Sequence, residues 1–145
     1  MYIMVKKTMI FLVLCSFILL IGCGKEQLSQ QVEVKNIESN YLNLRISKPE
    51  GQNYIDYKKI DDIKTVKMVT DILINLQWEK AKVSMSRQPD YKIVILNIAP
   101  NNFYIPVTYS VWRSPKKDLL EVIIEDKSKY AKVTKEDFKK LLSIL

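Results

Sequence analysis

The chain has 145 residues with 23 basic and 16 acidic side chains, a formal net charge of +7, and 48% of its residues are hydrophobic. This length fits one domain, and a hydrophobic content this high with 3 Gly and 5 Pro argues against a disordered chain. There is no histidine, which removes the most common general base, metal ligand and pH switch and excludes His-dependent catalytic triads.

Residues 1–22 have the layout of a secretion signal. Lys6 and Lys7 give a positive start. Residues 9–21 form an apolar run of about 13 residues, which suits a signal peptide and falls short of the ~20 residues of a transmembrane helix. The pattern predicts a segment that is cut off, with a plain signal peptide or an uncleaved anchor helix as the alternatives.

The apolar run ends on Leu20, Ile21, Gly22 and Cys23, which resemble the lipobox of bacterial lipoproteins. The resemblance implies transfer of diacylglycerol to the Cys23 sulfur and cleavage between Gly22 and Cys23. Cys15 then leaves with the signal, so the mature domain has neither a free thiol nor a disulfide. We expect a protein held by membrane lipid on the outer face of the cell membrane, and this export argues against a nucleic-acid partner.

We expect residues 23–30 to be the lipidated Cys and a polar tether, and residues 31–145 to be a single domain. Alternating apolar and polar residues predict about six or seven strands, at 31–36, 41–47, 54–59, 80–86, 91–98, 103–112 and 119–125. The first two should form a hairpin. Residues 91–98 are nearly all apolar and should be a central strand buried on both faces. Pro106 should move its strand toward a sheet edge or introduce a bulge.

Two helices are predicted. Asp61 is the expected N-cap of a helix reaching about Gln77, whose apolar arc is unusually wide, so it is either covered on more than one side or offers an apolar flank to a partner. Thr134 is the expected N-cap of a short final helix. Asp137, three residues later, is expected to complete a capping box by bonding back to the N-cap. The fold class is therefore α+β, an antiparallel sheet with one central helix and a short C-terminal helix.

The segment Gln-Pro-Asp-Tyr-Lys-Ile-Val-Ile at residues 88–95, together with the lipobox, the tether and the helix, looks like the YhfM-like group of small lipoproteins of Bacillus-type bacteria. The likeness covers roughly residues 50–145. It implies an envelope location and a single domain, and it brings no established activity.

A set of aromatic residues with lysines nearby is a candidate surface for a glycan or peptide: Tyr54, Tyr57, Tyr104, Tyr109 and Trp112. Trp112, beside Arg113, stands out because the rest of its strand face carries Thr and Ser, with Tyr104 on the same face. We expect a non-enzymatic accessory or binding domain without metal or cofactor. Its partner would be an envelope protein or an anionic wall polymer attracted by the lysines.

Two alternatives stay open. A carboxylate-based envelope enzyme such as a glycan hydrolase would need two acids about 5–9 Å apart across a cleft. The nearest group in the sequence, Asp56, Asp61 and Asp62, lacks the spacing of a calcium loop and is more typical of a solvated loop and a helix cap. An immunity or inhibitor-type lipoprotein is the second alternative, motivated by the wide apolar arc of the central helix.

Overall fold

The computed structural model describes residues 39–100, 106–125 and 127–145. The predicted signal, the lipobox residues 20–23, the tether, the predicted strand 31–36 and Tyr104 lie outside the described residues. Within the described ranges, no helix combines the length and the apolar character needed to cross a membrane.

A short 3-10 turn, Ser39–Tyr41, opens the described chain, and seven strands and two helices follow within the described residues: β1 Leu42–Glu50, β2 Asn53–Ile60, α1 Ile63–Asn75, β3 Glu79–Lys80, β4 Tyr91–Asn97, β5 Val107–Arg113, β6 Leu120–Ile124, β7 Lys129–Val133 and α2 Lys135–Ile144. The strands form one sheet in the order β2-β1-β4-β5-β6-β7-β3. Every neighbouring pair is antiparallel. The predicted α+β class, with one central and one C-terminal helix, is confirmed.

The core fills the space between one face of the sheet and the two helices. Its fully buried members come from both layers: Leu44 and Ile46 of β1, Val66, Val69 and Leu73 of α1, Ile93 and Ile95 of β4, Tyr109 and Val111 of β5, Leu120 and Val122 of β6, and Leu141 of α2. Apolar residues at helical spacing on α1 and at every second position of the strands meet here because those are the periods of the two structures. This leaves the other face of the sheet free of helices.

The prediction that residues 91–98 are buried on both faces is wrong for one face. Ile93 and Ile95 point to the core and are 0% exposed. Lys92, Val94 and Leu96 point to the helix-free face and stay half-buried. An apolar run signals a strand, but it does not show which face a helix covers.

Strand pairing corrects two further predictions. β1 bonds to β2 from Leu44 to Glu50 and to β4 from Leu42 to Ser47, so a hairpin of 31–36 with 41–47 has no free edge along Leu44–Ser47. Pro106 lies just before β5, an interior strand between β4 and β6. A proline outside the ladder removes no sheet hydrogen bond, so the edge position predicted from it is wrong.

Two strand predictions failed at the far edge of the sheet. Residues 80–86 were expected to be a strand, but pairing stops at Lys80, and Val83 beyond it is 38% exposed. β7 was not predicted. Tyr130 and Ala131 are adjacent and both buried, so both faces of β7 are covered and the chain does not alternate there.

The helix ends also differ from expectation. Asp62, not Asp61, caps α1: its Oδ2 accepts hydrogen bonds from Thr65 N at 2.8 Å and from Thr65 Oγ1 at 2.7 Å. Thr134 precedes α2 as predicted, but its side chain makes no capping hydrogen bond. The capping box is therefore wrong, although the helix that it predicted is present.

Candidate functional site

The helix-free face of the sheet is largely polar. Because side chains alternate along a strand, the register places one set of cross-strand partners on this face: Arg45 and Ser47 of β1, Asp56 of β2, Lys92 and Val94 of β4, Thr108, Ser110 and Trp112 of β5, Glu121 and Ile123 of β6, and Tyr130 and Lys132 of β7. Ion pairs on this face join Arg45 to Asp56 and Lys92 to Glu125. Glu121 and Lys132 both contact Tyr130.

Glu125, directly after β6, joins two neighbouring strands. Its Oε1 accepts a hydrogen bond from Ser110 Oγ at 2.5 Å and pairs with Lys92 Nζ at 2.7 Å. The Lys92 and Glu125 side chains are 28% and 34% exposed. Solvent therefore reaches this pair, whereas Ser110 is buried beneath it.

A second polar group lies beside the first in the same cross-strand row, because Ser47 of β1 is the register partner of Lys92. Asp56 of β2 pairs with Arg45 Nε at 3.1 Å and accepts a hydrogen bond from Ser47 Oγ at 2.6 Å. Half of the Arg45 and Asp56 side chains is exposed. This pair holds the irregular part of the β1–β2 ladder, where the register shifts after Ile46.

Three tyrosine–cation pairs lie at the same end of the sheet, where β2 and β4 begin and where β1 and β5 end; we call these six residues the tyrosine–cation rim. Lys92, over Tyr54, lies on the helix-free face, whereas Tyr91 and Arg113 lie on the helix side, because their register partners Val111 and Leu120 belong to the core. Each cation lies over one ring, within the roughly 6 Å of a cation–π contact: Lys92 Nζ is 4.7 Å from the Tyr54 centroid, Lys48 Nζ 5.2 Å from that of Tyr57, and Arg113 Cζ 5.6 Å from that of Tyr91. The rings of Tyr57 and Tyr91 are 6.5 Å apart and tilted by 40°.

The rim tyrosines are fixed by their hydroxyl groups. Tyr54 donates to the carbonyl oxygen of Pro89 at 2.7 Å, and Tyr57 donates to the carbonyl oxygen of Leu145 at the end of α2. Burial raises the pKa of both hydroxyls; the charges of Glu125 and Asp90 add to this at Tyr54, whereas Arg113 opposes it at Tyr57. Both phenols are therefore neutral at pH 7, and the charge of the rim comes from its cations.

The segment between β3 and β4 closes one side of the rim. Arg87 forms two parallel bonds to Asp90 and donates to the carbonyl oxygen of Arg113 at 2.7 Å. Burial acts to raise the pKa of Asp90. Hydrogen bonds from Arg87 and from the Arg113 N–H, with the positive charges of both residues, outweigh burial and hold that pKa below its usual range.

Trp112 is the main correction among the predicted site residues. It is 6% exposed, and its Nε1 donates to the carbonyl oxygen of Arg87 at 2.9 Å. The segment between β3 and β4 covers the indole, so Trp112 fills space beneath that segment and presents no surface to a ligand. Such covering by a distant segment leaves no signal in the local sequence.

Arg113 stays in the candidate set, although the structure separates it from Trp112. Adjacent residues of a strand point to opposite faces, and the Arg113 guanidinium lies over Tyr91. Its Nε is buried without a hydrogen-bond acceptor among the described residues.

Of the other aromatic candidates, Tyr54 and Tyr57 belong to the tyrosine–cation rim, whereas Tyr109 lies in the core at 0% exposure. Sequence reasoning missed Tyr91, Lys48 and Lys92 as site residues. The rim takes its six members from β1, β2, β4 and β5, so no local motif could have found it.

The acids of the helix-free face are each engaged by other side chains. Asp56 contacts Arg45 and Ser47. Glu125 contacts Lys92 and Ser110. Among the described carboxyl groups, the pKa values that shift belong to Asp62, Asp90 and Asp118, and all are lowered, opposite to what a general acid needs. The described residues also contain no group of three or more acids or cysteines able to hold a metal ion.

Comparison of the chain with protein-family models, with curated proteins and with solved structures finds no match.

Proposed function

We propose that the protein is a lipoprotein anchored through Cys23 at the outer face of the cell membrane. We propose further that its domain is a non-enzymatic binding module whose tyrosine–cation rim takes an anionic wall polymer. The lipobox residues 20–23 and the YhfM-like resemblance support the location. The observation that carries the binding proposal is that three cations each lie over a tyrosine ring at one end of the sheet.

The rim offers charge that is only partly neutralised. Lys92 is paired with Glu125, but Lys48 and Arg113 lie over ring faces and have no carboxylate within ion-pair distance among the described residues. A cation on a ring face keeps N–H donors turned toward solvent. These donors suit phosphate or carboxylate oxygens, and the ring surfaces suit the apolar faces of sugars or polyols.

A polymer is the best match for this spacing of groups. Several weak contacts along one chain add through effective concentration, so a repeating polyanion binds where a single anion does not. The domain as a whole is basic, which increases the local concentration of such a polymer.

The alternatives gain less support. A carboxylate enzyme needs a facing pair of acids, and the exposed acids described above are each held by a separate basic or hydroxyl partner. The immunity alternative rests on the wide apolar arc of α1, but Val66, Val69, Ile72 and Leu73 are buried. Only its first residue, Ile63, keeps an apolar side chain mostly in solvent among the described residues of α1.

The anchor is tested by expressing the protein and Cys23→Ala in a lipoprotein-competent bacterium. We expect the wild type to lose residues 1–22, to gain the mass of a diacylglyceryl group and to sediment with membranes, because two acyl chains anchor stably. The variant has no sulfur at position 23 to take up lipid, so it should gain no diacylglyceryl mass and fail to be processed. Identical mass and fractionation for both proteins would refute the anchor.

The ligand is tested with purified anionic wall polymer and the full chain in detergent. The double variant Lys48→Gln, Arg113→Gln should lose most of the binding, because it removes the two cations without a carboxylate partner. Lys80→Gln on β3, at the far edge of the sheet, removes one positive charge outside the rim, as many as either single rim substitution, and should bind normally. Equal weakening by Lys80→Gln and by either rim substitution would show attraction by net charge alone and would refute the rim.

A further inference from the structure

Large hydrophobic residues are exposed at the end of the sheet opposite the rim. Tyr41 is 42% exposed, Ile63 is 54% exposed and Ile98 is 54% exposed. Ile98 N donates to the carbonyl oxygen of Tyr41 at 2.8 Å, and α1, which begins at Ile63, packs against the Ser39–Tyr41 turn. These three side chains therefore belong to one end of the molecule.

The register defines that end. Leu42, the first residue of β1, faces Asn97, the last residue of β4. The rim lies at the other end of the same strands, near Glu50 and Tyr91. At about 3.3 Å per residue, the nine residues of β1 separate the two ends by roughly 26 Å.

The described residues begin beside these exposed side chains, at Ser39. Cys23 precedes Ser39 by 16 residues in the sequence, so the connection spans at most about 55 Å when fully extended. Along the chain, the Ser39–Tyr41 turn is the described part of the domain nearest to the proposed attachment at Cys23. The apolar side chains at that turn are then held at high effective concentration next to the bilayer.

The surroundings suit a bilayer better than a second protein. Lys59 and Lys64 balance Asp61 and Asp62 around the first turn of α1, so no strong field of one sign surrounds the apolar side chains. Three half-exposed side chains fall far short of the ~800 Å² per partner of a stable protein interface. Isoleucine and tyrosine side chains of this kind insert among lipid headgroups, where an aromatic ring with a polar tip is well placed.

We propose that Tyr41, Ile63 and Ile98 form a docking patch that seats the domain on the outer leaflet in which Cys23 is anchored, so that the tyrosine–cation rim points away from the membrane. This inference rests on the proposed lipid anchor. It adds a defined orientation. One end of the sheet contacts the membrane surface, and the other end faces the cell wall.

Single reporter sites can test the orientation because no cysteine follows Cys23 in the chain. Ile98→Cys and Ile63→Cys place a thiol in the patch. Gln52→Cys, in the exposed β1–β2 turn at the rim end, is the matched control. Each full-length lipoprotein is labelled with an environment-sensitive fluorophore, reconstituted into phosphatidylglycerol–phosphatidylethanolamine vesicles, and quenched either by nitroxide-labelled lipid or by aqueous iodide.

We expect at least threefold stronger lipid quenching at positions 63 and 98 than at position 52, with iodide showing the reverse order. Equal iodide access at all three positions would overturn the docking patch. Lipid quenching at position 52 instead would overturn the orientation, and protection of position 98 from both quenchers would assign the patch to a protein contact. A failed anchor is recognised separately, because all variants would then lack the diacylglyceryl mass and would not sediment with the vesicles.

Discussion

Arg87 and Asp90 form a two-pronged ion pair, with Nη1–Oδ1 at 2.7 Å and Nη2–Oδ2 at 2.8 Å. Asp90 Oδ2 also accepts the backbone N–H of Arg113 at 2.7 Å, and Arg87 donates to the carbonyl oxygen of the same residue. One carboxylate thereby joins the segment between β3 and β4 to the end of β5. It sets the position of Arg113 in the rim. It also fixes the segment between β3 and β4 that covers Trp112.

Asp90→Asn should lower the free energy of unfolding at pH 7 by about 1 kcal/mol, the scale of a partly exposed charge-assisted hydrogen bond. The folded-state pKa of Asp90 is lowered, so its stabilisation is complete above the unfolded pKa of about 3.9 and is lost as the pH falls through the lower folded value. Urea denaturation between pH 7 and pH 3 measures this difference. Asp71→Asn, in an exposed pair with Lys67, is the control and should have a smaller effect. A difference for Asp90→Asn that does not shrink toward pH 3 would contradict the assignment.

Trp112→Phe should destabilise the fold by about 1–2 kcal/mol and leave polymer binding unchanged. The variant keeps an aromatic ring in the buried site but leaves the carbonyl oxygen of Arg87 without its donor. Chemical denaturation and a binding titration of the folded protein separate the two effects. Trp78→Phe, which removes a bond to the carbonyl oxygen of Leu73 at 3.0 Å, is the matched control. Loss of polymer binding with normal stability would restore Trp112 as a ligand-binding residue.

Gly51→Ala should lower the free energy of unfolding by about 1 kcal/mol. Gly51 has a φ of +63° in the β1–β2 turn, and a side chain there meets no neighbouring atom, so the whole effect comes from backbone strain. Gly51→Asn should cost less, because Asn tolerates the left-handed region better. Thermal unfolding of both variants beside Gln52→Ala makes the comparison. Full stability of Gly51→Ala would mean that the turn adopts another conformation.

Glu125→Gln should weaken the fold and strengthen polymer binding. The substitution removes the charge that neutralises Lys92 at 2.7 Å, so the rim gains net positive charge. Ser110 keeps a hydrogen-bond acceptor in the amide oxygen, which limits the loss of stability to about 1 kcal/mol. The binding titration is repeated at low and high salt, and the gain should be largest at low salt. Weaker binding at low salt would show that Glu125 itself contacts the ligand.

The spacing of apolar residues in short segments predicted much of the fold, because the apolar residues that set the spacing are the ones that the structure buries. The alternation through Leu42, Leu44 and Ile46 is the alternation of β1, and the apolar spacing through Val66 and Leu73 is that of α1. Where burial departs from a simple pattern, prediction failed. β7 has both faces covered, and β3 ends at Lys80, with one further backbone hydrogen bond from Ala81 N to the carbonyl oxygen of Ser128.

The sequence by itself determined the α+β class, most of the strands and both helices, since hydrophobic periods of 2 and 3.6 are properties of short segments. It also carries the lipobox prediction at Cys23, because that signal is contiguous. Only the tertiary structure decided that Trp112 is covered, that Arg113 turns to Tyr91, and that Tyr54, Tyr57 and Lys48 share one rim. Those relationships join distant strands. They depend on strand order and register, which many segments set together and which no single stretch of sequence encodes.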